Sequence, residues 1–145
     1  MSEKVAKRSR ELFEGGYYCA ESVLLAIAES RGIKSELIPK IATGFCSGIS
    51  RTCGMCGAVI GAIMVINLVT GRNSPDESVE ENYALCQKMM ASFQDRFGST
   101  NCQELTGCDL GTDEGQKIFG EKNHIEKCKD YTEEAARIAH SIMEG

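Results

Sequence analysis

Between Gly57 and Leu68 the only polar residue is Asn67, so a helix wound from this stretch has almost no polar face. Such a helix must be surrounded by lipid or by protein. The apolar run from Ala58 to Val69 is shorter than the roughly 20 residues of a membrane span. We therefore expect no membrane span, and a buried helix at the centre of a bundle. Gly57 and Gly61 stand four apart on one face, where the missing side chains let another backbone come close.

The other segments repeat apolar residues at intervals of three and four, and strand alternation is nearly absent, which predicts an all-α fold. A first helix is expected from about Glu3 to Glu14, with Val5, Leu12 and Phe13 inward, ending at Gly15 and Gly16. A second begins near Cys19 and carries Val23, Leu24, Ile27 and Ala28. A third is expected to open at Ser35 and to tolerate Pro39 near its first turn. The central helix starts between Cys53 and Gly57. Ser74, Pro75 and Glu77 resemble a capping box opening a fifth helix, whose stripe is Val79, Tyr83, Cys86, Met90, Phe93 and Phe97. Short helices follow near Gln103 and from Thr112 to Phe119. Asp130 and Glu133 suggest a second capping box before the last helix, although Ile125 and Cys128 fit the same period and allow an earlier start. No linker or repeat interrupts the chain, so residues 1–145 are expected to form one single-domain helical bundle.

The chain has eight cysteines in 145 residues and a formal net charge of −5. Its 16 Lys and Arg are spread along the chain and form no basic stripe, which disfavours nucleic acid as a partner. Walker, HExxH and GxGxxG motifs are absent; Gly44 to Gly54 with Arg51 lacks the lysine of a phosphate loop. The charged N-terminal segment has no signal-peptide pattern, and a cytoplasmic location is expected. In that compartment thiols stay reduced, so the cysteines point to catalysis, sensing or metal binding.

Four cysteines fall at or near expected helix starts: Cys19, Cys56, Cys102 and Cys128. Exposed N–H groups and the helix dipole favour a thiolate there. Cys53 and Cys56 have CxxC spacing, which suits a dithiol couple or half of a tetrahedral metal site. A thioredoxin reading requires a strand before the motif, and none is expected. Cys86 reads as core packing, while Cys46 and Cys108 sit in glycine-flanked loops, where each either adds a ligand or is incidental. His124 would share a face with Cys128 if the last helix starts early.

Cys56-Gly57-Ala58-Val59-Ile60-Gly61 resembles the CGAxxG signature of a family of small proteins named for a C, GCAxxG, C, C pattern, whose redox activity is assigned only provisionally. Gly16 to Val23, Asn101 to Leu105 with Gly107, and Cys128 are similar to its remaining segments. The resemblance implies that Cys19, Cys56, Cys102 and Cys128 are the family's cysteines, with an electron-transfer or iron–sulfur role as one implication. It also implies a bacterial or archaeal source. Cys46 and Cys53 depart from the usual pattern.

Two chemistries follow. In the first, Cys56 is the thiolate, Cys53 a candidate resolving thiol, and Cys19, Cys102 and Cys128 are neighbours that relay oxidation to or from a redox partner protein. In the second, Cys19, Cys56, Cys102 and Cys128 ligate zinc or an iron–sulfur cluster. A third reading is non-catalytic: the Gly57 and Gly61 face packs on a second copy in a homo-oligomer, and the cysteines are passive.

Overall fold

The computed structural model describes residues 1–144. Its helices are α1 (Ser2–Glu14), α2 (Cys19–Ser30), α3 (Cys46–Arg51), α4 (Gly57–Thr70), α5 (Glu80–Phe97), α6 (Cys102–Thr106), α7 (Asp113–Glu121) and α8 (Ile125–Glu144), with a 3₁₀ stretch at Lys40–Phe45. No strand occurs among the described residues; the fold is all-α.

Helix α4 is the centre. It packs on α2, α5 and α8, while α1 lies across α2 and α8. Ala58, Val59, Ala62, Val65 and Ile66 are fully buried, and each branched side chain among them contributes about 1.5–3 kcal/mol. The last turn emerges, leaving Leu68 and Val69 exposed. A methyl group on Gly61 would lie 2.5 Å from the Ala20 carbonyl oxygen of α2. The close-approach face at Gly61 is thus filled within the chain by α2.

The seam between α1 and α8 is built from regular helices and charge. Arg10 donates to Asp130 and Glu133 at 2.9 and 3.0 Å, and Arg137 pairs with Glu3 and Glu134. Val5, Leu12, Ala135 and Ala139 bury the apolar side.

Three expected starts moved. No helix opens at Ser35: the residue before a proline avoids the α region, and Leu37 and Ile41 are exposed. Ser74 to Ser78 form turns, in which Glu77 reaches back to the Asn73 N–H, so α5 begins at Glu80. Its buried face is Met89 and Phe93, and Tyr83 is exposed. Helix α8 starts at Ile125, with Asp130 already inside it, its carboxylate taken by Arg10.

Candidate functional site

Helix starts bring the cysteines to one end of the bundle. Cys19 is the first residue of α2, Cys56 precedes α4, Cys102 opens α6, and Cys128 lies in the first turn of α8. All four line one cavity of about 110 Å³, with Phe13, Tyr18, Leu105, Phe119 and Tyr131 as apolar walls and Arg51 and Gln116 as polar ones.

Each cysteine is fixed by backbone. The Cys56 N–H donates to the Thr100 carbonyl at 2.7 Å, and the Cys102 N–H donates to the Gly54 carbonyl at 2.9 Å. These bonds flank an isolated antiparallel bridge between Met55 and Asn101. Asn101 also caps α6, accepting from the Glu104 N–H at 3.0 Å, and its side chain donates to the Cys53 carbonyl at 2.8 Å. The Tyr131 hydroxyl donates to the Leu105 carbonyl at 2.9 Å, tying α8 and Cys128 to α6.

Part of the floor is left-handed. Ser47, Gly48, Ile49, Ser50 and Arg51 all have positive φ, between 55° and 68°, so α3 is a left-handed turn. Side chains at four of these positions resist that conformation by about 1–2 kcal/mol per residue. Local bonds hold it: Ser50 Oγ donates to the Gly44 carbonyl at 2.8 Å, and the Gly54 N–H donates to the Gly48 carbonyl at 2.8 Å. Gly48 is required on two counts, since a Cβ there would meet Cys102 Cβ at 2.6 Å. The turn directs Ser47, Gly48 and Arg51 to the cavity.

Burial governs the thiols. It pushes Cys56 up to about 12 against the pull of the Ala58 and Val59 N–H groups, and it pushes Cys128 up to about 12 as well. Cys102 is raised by the same cause. Desolvation disfavours the charged form, so here it outweighs the helix-start effect expected to favour a Cys56 thiolate. At neutral pH these three are thiols.

Cys53 does not line the cavity. Its left-handed φ of 61° and the bridge at Met55 extend the Cys53 to Cys56 segment, which is not the helical turn expected of the CxxC spacing. A hydrogen bond to Asp109 raises its thiol. Cys86 lies on α5 beside Asn82, away from the cavity, and Cys108 is buried with its sulfur 3.5 Å from the Thr106 carbonyl oxygen. His124 stacks near Phe119 and does not line the cavity.

The cavity residues to which sequence reasoning gave no role in the site are the aromatic walls. Tyr131 had a signal, three residues after Cys128 on the same helical face.

A family model described as "Putative redox-active protein (C_GCAxxG_C_C)" matches residues 17–142, which span all four cavity cysteines. The chain belongs to the C_GCAxxG_C_C family. An uncharacterized protein of Archaeoglobus fulgidus is 30% identical over 152 residues, covering 98% of this chain and 95% of the relative. No solved structure matches the chain. For this C_GCAxxG_C_C protein no described helix is long and apolar enough to cross a membrane. Among the described residues, no three His, Cys, Asp or Glu side chains are grouped so as to hold a metal ion.

Proposed function

We propose that this protein is a cytoplasmic thiol redox protein whose centre is Cys19, Cys56, Cys102 and Cys128, serving a redox partner protein or a small disulfide. The observation that carries this reading is their convergence on one cavity from four separate segments. An apolar cavity with a single guanidinium beside it is suited to thiol–disulfide exchange, because attack needs access and a shielded mixed disulfide. Neutral thiols at Cys56, Cys102 and Cys128 supply reducing equivalents that do not react indiscriminately. Cys53, outside the cavity, joins as a resolving thiol for Cys56 only if the Cys53 to Cys56 segment changes conformation.

The test is thiol counting, with iron, zinc and sulfide analysis, on protein purified without oxygen. Metal-free protein that loses at least two thiols on treatment with oxidised glutathione supports the reading. Stoichiometric iron or zinc that disappears in the Cys19→Ser and Cys102→Ser variants, and stays in Cys86→Ser, would replace it with the metal reading.

A further inference from the structure

Cys46 belongs neither to the four cavity cysteines nor to the CxxC pair, yet it lies close to one of the cavity cysteines. The position a Gly57 Cβ would occupy lies 2.5 Å from Cys19 Sγ and 3.2 Å from Cys46 Cα. The missing Gly57 side chain therefore leaves room for Cys19 Sγ beside the Cys46 backbone. The neighbouring Cys19 thiol and burial together hold the Cys46 thiol above the usual thiol range. Its sulfur also lies 3.8 Å from Glu21 Oε1. That carboxylate is itself anchored, accepting from the Tyr18 N–H at 3.0 Å and from Thr43 Oγ1 at 2.8 Å.

The two thiols differ in access. Cys19 is half-buried and lines the cavity, whereas Cys46 is 5% exposed and does not line it. An attacking thiol in front with a shielded thiol behind is the arrangement that disulfide exchange uses.

We propose that Cys19 and Cys46 are the exchanging pair: Cys19 attacks a small disulfide entering the cavity, and Cys46 resolves the mixed disulfide. In the first step the Cys19 thiolate forms a bond to one sulfur of RSSR, the RS–SR bond breaks, and the first RS⁻ leaves with the Cys19 proton. In the second, the Cys46 sulfur bonds to Cys19, the mixed bond breaks, and the second RS⁻ leaves with the Cys46 proton. Two protein thiols are oxidised to one disulfide, and one external disulfide is reduced to two thiols. The inference rests on the thiol redox reading and names its pair.

The experiment exposes the full chain to oxidised glutathione, blocks remaining thiols with N-ethylmaleimide, and maps linked peptides by mass spectrometry. The expected product joins Cys19 to Cys46. It should persist in Cys86→Ser, which lies away from the cavity, and Cys46→Ser should instead accumulate one glutathione on Cys19. Disulfides confined to Cys56, Cys102 and Cys128, with Cys46 still alkylated, would overturn the pair and leave thiol redox chemistry standing. No disulfide anywhere, together with stoichiometric metal, would overturn both. The wild-type map decides even if a variant fails to fold.

Discussion

The α1–α8 seam and the cysteine pole are held together by different physics. Along the seam, two regular amphipathic helices bury Val5, Leu12, Ala135 and Ala139 and pair Arg10 and Arg137 with carboxylates in partial solvent. At the pole, irregular backbone takes over: a left-handed turn, one antiparallel bridge, and glycines whose missing Cβ atoms admit Cys19 and Cys102. The seam tolerates rearrangement of long side chains, whereas the pole has little slack because its contacts are to backbone and sulfur. That second kind of construction positions the thiols of the pole and buries Cys56 and Cys102.

The largest expected difference is in alkaline stability. An unfolded chain releases the Cys56 and Cys128 protons near pH 9, while the folded one holds them to about 12. The folded state binds more protons across that window, so the stabilisation is complete below pH 9 and is lost as pH rises toward 12. Each tenfold difference in proton affinity between the two states is worth about 1.4 kcal/mol for each thiol. Urea midpoints under reductant at about pH 7.5 and about pH 10.5 should fall more steeply for the wild type than for the Cys56→Ala, Cys128→Ala double variant. Parallel falls would mean that the pole does not govern alkaline stability.

A smaller effect is expected at the α2–α4 contact that supports the pole. Gly61→Ala puts a methyl group 2.5 Å from the Ala20 carbonyl oxygen. Overpacking of about 1–3 kcal/mol opposes a helix-propensity gain of about 1 kcal/mol. The variant should melt below the wild type by circular dichroism, and an unchanged or higher midpoint would show that the two helices have room to part.

The smallest effect belongs to the seam. Arg10→Ala removes contacts to Asp130 and Glu133, but the guanidinium is partly exposed and its partner Asp130 more so. A loss within about 1 kcal/mol is expected, shrinking at about 1 M salt, where screening reaches about 3 Å. A larger, salt-independent loss would place the seam beside the pole in rigidity and erase the contrast between them.

The long periodic segments made much of the fold legible: α1 and α2 bury the inner faces their spacing implies, and α4 and α8 appear as the expected central and last helices. The apolar stretch after Gly57 sits at the centre for the reason its composition gives, that it has no face to offer water. Segments governed by turn chemistry were less legible. Ser74, Pro75 and Glu77 carry a capping pattern but form turns, with the Glu77 carboxylate drawn to the Asn73 N–H. Tyr83 fits a helical stripe yet is exposed, while Met89, outside that stripe, is buried beside the expected Phe93.

By itself the sequence determined that the chain is helical, that the Gly57 to Leu68 segment is interior, and that Cys19, Cys56 and Cys102 stand at helix starts, because period and capping are local properties. Only the tertiary structure decided that these three and Cys128 share a cavity, that Cys53 lies outside it, and that Cys46 and Cys19 both border Gly57. Those outcomes depend on which helix ends meet at one pole, and on burial energies that reverse the local preference for a thiolate at Cys56. Neither is encoded within a single turn of chain.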